Sequence, residues 1–231
     1  MGELYTRAED KTPYTIVALQ ECERMNILTI EIRQMEELAE ALFMDSVPPK
    51  WTKRAYPSSL GLTAWYADLL IRIKELENWS SDFVLPSSVW LAASSTPSPF
   101  LTAIMQSTAR KNELPLDKMT LQCDVTKKNK EDFTSPPREG AYINGLYMEG
   151  ARWDLQAGVI MESRLKELYP SMPVIYVRSI LIDKQDLRNM YQCPVYKTRS
   201  RGATYVWTFN LRTKEKAALW VLGGVSLILQ I

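Results

Sequence analysis

The chain has 231 residues, 46% of them hydrophobic and 10% aromatic, which is enough for one large domain or two small ones with their own cores. Its 28 basic and 27 acidic residues leave a net charge of +1, so the overall charge indicates neither nucleic acid nor an anionic membrane as a partner. There is no histidine, which removes the commonest general base and metal ligand. Cys22, Cys123 and Cys193 are too few and too far apart for a disulfide framework, and we expect Cys123 and Cys193 to be ordinary core residues.

The first half of the sequence repeats its apolar residues every three or four positions, as amphipathic helices do. This spacing predicts helices over residues 14–44, 62–79 and 98–112. Pro13 suits the first position of the first helix, and Thr12 suits its cap. We therefore predict a helical subdomain over residues 1–115.

After Pro115 the apolar residues alternate with polar ones, which is the period of a β-strand. This pattern predicts strands in MTLQCDV, AYINGLYM and VIYVRSILI, a hairpin of CPVYKT with TYVWTFNL, and a helix-like stretch in IMESRLKELYP. The apolar segment from Ala217 to Ile231 is shorter than the roughly 20 residues of a membrane helix, and we predict a buried strand with a bend at Gly223–Gly224.

About six strands with short turns favour a small antiparallel β-barrel over residues 116–231, because closure hides the sheet edges. The predicted fold class is therefore α+β, a helical subdomain followed by a β-barrel subdomain. Small barrels hold little besides side chains. We expect the interior to be filled by Tyr147, Trp207, Phe209, Leu222 and Leu227.

The sequence lacks the motifs of the common enzyme classes. It has no GxxxxGK[ST] or GxGxxG loop and no GxSxG elbow, and its cysteines do not have the spacing of a zinc site. The carboxylate pairs Asp183/Asp186 and Glu36/Glu37 are predicted to be solvated charges. We predict no catalytic residue, no metal and no cofactor.

A basic run, Lys197 to Gly202, lies beside Tyr205 and Trp207. This composition is compatible with binding a phosphate backbone. A positively charged hairpin tip flanked by core aromatic residues is the favoured interpretation.

The stretch GLYMEGARWD, residues 145–154, combines two glycines with a short strand and the sequence Arg-Trp-Asp. We interpret Gly145, Gly150, Arg152, Trp153 and Asp154 as a structural corner. Gly150 is expected to have a positive φ. Trp153 is expected to be largely buried at one end of the barrel, and Asp154 to accept hydrogen bonds from the turn backbone or from arginine.

Several stretches resemble the C-terminal region of dynein heavy chains: TPYTIVALQECERMN, WTKRAYPSSLGLTAWYADLLIRIKEL, SPPREGAYINGLYMEGARWD, MPVIYVRSI, YQCPVYKTRSRGATYVWTFNL and WVLGGVSLILQI. The resemblance covers almost the whole sequence in order, with tryptophans in register. The sequences CPVYKT and TYVWTFNL resemble those of the axonemal class, specifically the outer-arm β-like heavy chains.

The resemblance implies a domain without an ATPase site or a microtubule-binding site. Its expected partners are the ATPase ring modules of the same heavy chain, on one face of which it packs to brace the ring and tune the motor. It implies contact with microtubules only through the full motor, no nucleic acid or membrane partner, and a location in the axoneme of cilia and flagella. Two alternatives stay open: an independent barrel-type module that binds peptide or nucleic acid, and an enzyme with a cleft of titratable groups.

The sequence departs from the family's pattern in two places. The family has a longer stretch after ERMNILTIEIRQ, close to residue 34. The stretch WLAASSTPSPF stands where the family usually has a glycine, an aromatic pair and Asn-Pro, and its Ser94, Ser95 and Thr96 replace apolar surface with polar surface. Both differences reduce the apolar surface of the helical part, so ring contacts near residues 34 and 94 are expected to differ from those of the family.

Overall fold

The computed structural model describes residues 2–8, 10–33 and 43–230. They divide into two compact units: one holds the residues up to Val84 with Ala93–Thr96, and the other holds Leu85–Ala92 with the residues from Pro97 onward. The predicted α+β class is confirmed. The helix Pro97–Lys111 packs in the second unit with the strands, whereas the predicted boundary at residue 115 groups it with the other helices.

The described part of the first unit is helical. Its helices are α1 (Gly2–Arg7), α2 (Pro13–Arg33), α3 (Pro49–Thr52) and α4 (Leu62–Asp82). The predicted start of α2 is confirmed, because the backbone N–H of Thr15 donates to Thr12 Oγ1 at 3.1 Å and Pro13 is the first helical residue. The predicted extension of this helix through residues 34–42 lies outside the described residues.

An aromatic stack forms the centre of the first unit. The ring of Trp65 lies 5.8 Å from that of Trp51 and 6.0 Å from that of Tyr56, both roughly parallel to it. Tyr56 also donates its hydroxyl to the Trp65 carbonyl, so its polar end is satisfied within the core. Leu28 of α2 with Leu62 and Leu69 of α4 completes the buried cluster and joins the two long helices.

The second unit contains ten described strands and two α-helices. The strands are β1 (Val89–Trp90), β2 (Met119–Val125), β3 (Ala141–Asn144), β4 (Tyr147–Glu149), β5 (Ala151–Asp154), β6 (Val159–Glu162), β7 (Ile175–Leu181), β8 (Met190–Tyr196), β9 (Tyr205–Arg212) and β10 (Ser226–Ile228). The helices are α5 (Pro97–Lys111), which packs on β2, β7 and β9, and α6 (Ala217–Leu222).

The strands form two four-stranded sheets and one hairpin. The first sheet has the order β1-β3-β7-β2 and the second the order β4-β10-β8-β9, while β5 pairs only with β6. The predicted hairpin of β8 and β9 is confirmed, with Cys193 opposite Phe209 and Tyr196 opposite Tyr205. Cys193 and Phe209 are fully buried, as the alternation of their strands predicts.

A closed barrel of about six strands is not found among the described residues, so that prediction is unconfirmed. The reason lies in the glycines of residues 141–154. Gly145 and Gly150 have positive φ and divide this segment into three short strands, one in the first sheet, one in the second and one in the hairpin. The domain therefore has more strands than predicted, and its two four-stranded sheets remain separate instead of closing into one barrel.

The prediction of a buried strand over Ala217–Ile231 with a bend at Gly223–Gly224 is wrong for the residues before the bend. Ala217–Leu222 is helical, and only Ser226–Ile228 is a strand. The helix ends where the Gly223 N–H donates to Leu219 O at 3.0 Å and Gly224 takes a φ of +64°, a glycine-dependent helix end. The expectation that Leu222 fills an interior is therefore wrong, since its side chain is 89% exposed.

The other side chains expected inside the barrel divide into two groups. Phe209 and Leu227 are fully buried, whereas Tyr147 and Trp207 are half-buried on the faces of their strands.

The helix-like stretch predicted at residues 160–170 is also wrong. Gly158 has a φ of +65° and its N–H donates to Asp154 O at 2.8 Å, which closes a turn. The turn brings Val159–Glu162 into register with Ala151–Asp154, and the residues pair as a hairpin. Residues 163–171 follow as an irregular loop.

Candidate functional site

The two glycines of GLYMEGARWD occupy positions that a side chain resists. Gly145 has a φ of +81° and Gly150 a φ of +78°. A Cβ atom at Gly145 would lie 2.3 Å from Trp90 Cδ1, and one at Gly150 would lie 2.9 Å from the Gly223 carbonyl oxygen. Conformation and close approach both favour glycine here.

Asp154 organises the turn that follows β5. Its Oδ1 accepts the backbone N–H groups of Gln156 at 3.0 Å and Ala157 at 2.8 Å. Its Oδ2 accepts Arg152 Nη1 at 3.0 Å. The Ala157 N–H, followed by Arg152, holds the pKa of the Asp154 carboxyl below its ordinary value, because these donors stabilise the ionised form.

Trp153 is partly buried, and its expected place at the end of a barrel stays a prediction, since no closed barrel is found among the described residues. It lines a cleft of about 410 Å³ together with Arg152, Asp154 and residues of the loop after β6. The structure thus brings three of the five predicted corner residues to one cleft. Gly145 and Gly150 lie at the turns before and after β4 and are not among its lining residues.

The acidic pair Asp183 and Asp186 lies on the exposed segment before β8. Asp186 forms an ion pair with Arg188, whose Nη2 lies 2.7 Å from Asp186 Oδ2. The Arg188 side chain and backbone N–H lower the pKa of Asp186 to about 2, so this carboxyl carries no proton near neutral pH. The pair Glu36/Glu37 lies outside the described residues.

All three cysteines are free and buried, which confirms the prediction of Cys123 and Cys193 as core residues. Burial raises the pKa of the Cys123 and Cys193 thiols well above their ordinary value, because the thiolate is poorly solvated there. Over residues 2–8, 10–33 and 43–230, no cluster of three or more cysteine, aspartate or glutamate side chains is placed to hold a metal ion. In the same ranges no helix has the length and apolarity needed to cross a bilayer.

The basic hairpin of residues 197–202 uses its arginines within the domain. The Arg199 guanidinium stacks 5.1 Å from the ring centre of Tyr169. Arg201 pairs with Glu149, donates to Ser226 Oγ and lies 4.7 Å from the ring centre of Tyr196. Since the charge of Arg201 is paired with a carboxylate, this hairpin offers less free positive charge than its sequence indicates.

The exposed side of helix α4 is apolar, a feature that the sequence analysis missed. Tyr66, Leu70 and Ile71 are 45%, 50% and 54% exposed, although Leu69 between them is buried. We call Tyr66, Leu70 and Ile71 the α4 outer face. The apolar spacing of residues 62–79 predicts that Tyr66 lies on the buried side with Leu62, Trp65 and Leu69, and the exposure of Tyr66 contradicts this. The available signal was that Leu70 and Ile71 are apolar but do not belong to that spacing.

Comparison with known proteins bears on almost the full length of the sequence. The model of a family described as the C-terminal domain of the dynein heavy chain matches residues 32–229. The chain belongs to this family. The resemblance found in the sequence is thereby confirmed.

This dynein C-terminal domain has highly similar axonemal relatives. It is 61% identical to "Dynein beta chain, ciliary" of Tripneustes gratilla and 60% identical to "Dynein axonemal heavy chain 17" of Homo sapiens, in both cases across 100% of this domain and 6% of the relative. It is 40% identical to "Dynein beta chain, flagellar outer arm" of Chlamydomonas reinhardtii, across 95% of this domain and 5% of the relative. The domain therefore spans about 6% of the length of these heavy chains, whose names support an axonemal location.

The first two alignments run to 249 positions, at least 18 more than the 231 residues of this domain, so those relatives have residues that it lacks. The predicted place of such a difference, near residue 34, lies outside the described residues. The second predicted departure, residues 94–96, has a structural role in this dynein domain. The buried Glu21 carboxylate accepts the backbone N–H groups of Ser95 at 2.7 Å and Thr96 at 3.2 Å.

Proposed function

We propose that this protein is the non-catalytic C-terminal domain of an axonemal dynein motor, which packs on the ATPase ring of its own heavy chain and tunes the motor in ciliary motility. ATP hydrolysis then belongs to other parts of the heavy chain, and microtubules are reached only through the full motor. Family membership supports the placement in the heavy chain. The absence of a phosphate-binding loop from the sequence supports the assignment of ATP hydrolysis to other parts of the heavy chain.

The α4 outer face is the observation that carries the docking proposal. Large apolar side chains that are half exposed and adjacent on one helix mark interaction surfaces, because leaving them in water forgoes about 25 cal/mol per Å² of burial. Tyr66 adds an aromatic ring with a polar tip, a residue type enriched at interfaces. The occupant we propose is the ring of ATPase modules of the same heavy chain.

A binding experiment with polar substitutions tests this surface. The triple variant Tyr66→Ser, Leu70→Ser, Ile71→Ser is compared with the unchanged domain for capture of the purified ATPase modules of the same heavy chain. Leu222→Ser is the matched control, because Leu222 is equally apolar and 89% exposed but lies on α6. We expect at least tenfold weaker capture for the triple variant and unchanged capture for the control. Equal capture of all three proteins would contradict the proposed surface.

The tuning role has its own readout. We expect the ATPase rate of ring modules that lack this domain to change when the unmodified domain is added and to change less with the triple variant. If the domain is captured by the ring modules but their ATPase rate does not change, the domain supports the ring without regulating it. That result would contradict the tuning proposal.

We also propose that the corner of Gly145, Gly150, Arg152, Trp153 and Asp154 is structural, in that it directs the chain between the two sheets and the hairpin. The positive φ values and close approaches of the two glycines support this role. The hydrogen bonds of Asp154 to its own turn support it as well.

A further inference from the structure

Another cleft, of about 430 Å³, lies in the second unit and is lined by residues of β2, β9 and the segment between β7 and β8. Asn210 and Arg212 are two positions apart on β9, so their side chains lie on the same face of that strand, and Leu211 between them is buried on the other face. Both Asn210 and Arg212 line the cleft. The strand direction therefore places the exposed Arg212 side chain on the cleft side of β9.

The charged side chains of this cleft are mostly positive. Lys184, Arg188 and Arg212 supply three cations and Asp186 supplies one carboxylate, which leaves a net charge of +2 on the lining. Lys184 and Arg212 are exposed, and neither forms an ion pair with another residue in the described part of the chain. A cleft with an excess of one charge concentrates ligands of the opposite charge, so this cleft favours an anionic partner.

Asp186 shows how a carboxylate is held at this cleft. Arg188 donates from Nε to Asp186 Oδ1 at 2.9 Å and from Nη2 to Asp186 Oδ2 at 2.7 Å, which is the two-point geometry of a guanidinium on a carboxylate. The two side chains are 87% and 57% exposed. Exposed ion pairs contribute only about 0–1 kcal/mol, so an external carboxylate can replace this one at little cost.

We propose that this cleft binds an acidic peptide segment of a partner protein, with its carboxylates at Lys184 and Arg212. Ile182 and Leu187 are 53% and 43% exposed on the segment that carries Lys184, and a polypeptide offers apolar side chains to such residues, which a free inorganic anion does not. The volume falls within the range of ligand clefts, about 300–1,000 Å³. The proposal does not rest on ring docking, because the α4 outer face belongs to the first unit and this cleft to the second.

A compact anion with several charges, such as a nucleoside triphosphate, fits this cleft less well. The Asp186 carboxylate lies among the cations and repels each further negative charge that is brought close to it. Single carboxylates that are spaced along a peptide reach Lys184 and Arg212 without concentrating their charge beside Asp186.

The probe for this site is the peptide acetyl-Glu-Glu-Leu-Glu-Glu-amide. It is titrated into the 231-residue protein while the backbone amide resonances of Asn189 and Arg212 are followed by NMR. We expect both resonances to shift and to saturate, with a dissociation constant on the order of 1 mM. The uncharged peptide acetyl-Gln-Gln-Leu-Gln-Gln-amide should bind about tenfold more weakly. Equal binding of the two peptides, or shifts that do not saturate, would overturn the proposal, and so would binding of inorganic phosphate as tight as that of the acidic peptide.

A pair of double variants tests the residues. Lys184→Gln with Arg212→Gln removes the two unpaired cations, and we expect about tenfold weaker binding of the acidic peptide. Lys127→Gln with Lys130→Gln removes the same charge at exposed positions outside the cleft lining and should change binding by less than about twofold. All four positions are exposed, so both proteins should fold. Equal weakening in the two variants would assign the binding to net charge and overturn the site.

Asp186→Asn gives a test in the opposite direction. The substitution removes the resident carboxylate and frees the Arg188 guanidinium for the peptide. We expect about threefold tighter binding of the acidic peptide than by the unmodified protein. Unchanged or weaker binding would contradict the assignment of these charges to the site.

Discussion

Gly150 and Gly202 have the same backbone φ of +78°, but their surroundings differ. A Cβ at Gly202 meets nothing within 4 Å, while one at Gly150 lies 2.9 Å from a carbonyl oxygen. Gly202→Ala should therefore lower the free energy of unfolding by about 1–2 kcal/mol, the cost of placing a residue with a side chain in the left-handed conformation. Gly150→Ala should lower the free energy of unfolding by the same amount and by about 1–3 kcal/mol more, because its Cβ clashes with the carbonyl oxygen.

Chemical denaturation of the two alanine variants measures this difference directly. If they lose equal stability, the close approach at Gly150 is relieved by a small shift and the corner is less rigid than we propose.

The ionisation of Asp154 gives a second residue-scale prediction. Its pKa is lower in the folded domain than in the unfolded chain, so its contribution to stability is present above the unfolded value, about 3.9, and is lost as the pH falls through the folded value. Asp154→Asn keeps one acceptor oxygen but cannot titrate. We expect the melting temperature of the variant to fall less steeply with acidification below about pH 4 than that of the unmodified domain. Parallel curves for the two proteins would show that Asp154 is not linked to folding.

At the scale of elements, α2 holds the segment 94–96 through one buried carboxylate. Glu21 is 6% exposed and also accepts Arg24 Nη1 at 2.7 Å and Thr96 Oγ1 at 3.0 Å. Glu21→Gln leaves one acceptor oxygen for four donors and removes the charge that strengthens them. We expect a loss of about 1.5–3 kcal/mol in unfolding free energy, the usual range for hydrogen bonds to a charged group.

Glu23→Gln is the matched control for this prediction, because Glu23 is exposed on the same helix. Its effect on the unfolding free energy should stay within about 0.5 kcal/mol. A comparable loss from both variants would point to net charge rather than to the anchored segment.

The elements that the sequence predicts well are those with a long, regular period. Helix α4 begins at Leu62 as predicted, and β2 and β7 occupy the predicted runs, because several residues along each element agree with the same period. Residues 217–222 are too short to show such a period, since a short apolar run fits a helix and a buried strand equally well. Only the helix end at Gly223–Gly224 distinguishes the two structures.

The candidate site was predictable only in its local chemistry. Positive φ at Gly150 and hydrogen bonding by Asp154 follow from the residues themselves. The partial exposure of Trp153 depends on the loop 163–171, which approaches from beyond the hairpin, and no local pattern in the sequence encodes that approach. The pairing of β3, β4 and β5 with three different partners is likewise a long-range property.

At the scale of the whole molecule, we expect the isolated domain neither to bind nor to hydrolyse ATP. The sequence has no glycine-rich phosphate loop with its lysine and no histidine, and Arg201 of the basic hairpin is paired with Glu149. Calorimetric titration with Mg-ATP should give no saturable heat in the micromolar range. Saturable binding there would contradict a purely non-catalytic domain and would favour the enzyme alternative.

The position of β10 also affects how the domain withstands premature termination of translation. Residues Leu227 and Ile228 pair with β4 on one side and with β8 on the other. A polypeptide that stops after Gly224 would keep both of those strands but leave a row of unpaired backbone groups on each. Unpaired edges of this kind recruit strands from other molecules. We therefore expect a variant of this domain that ends at Gly224 to aggregate, which sedimentation would detect.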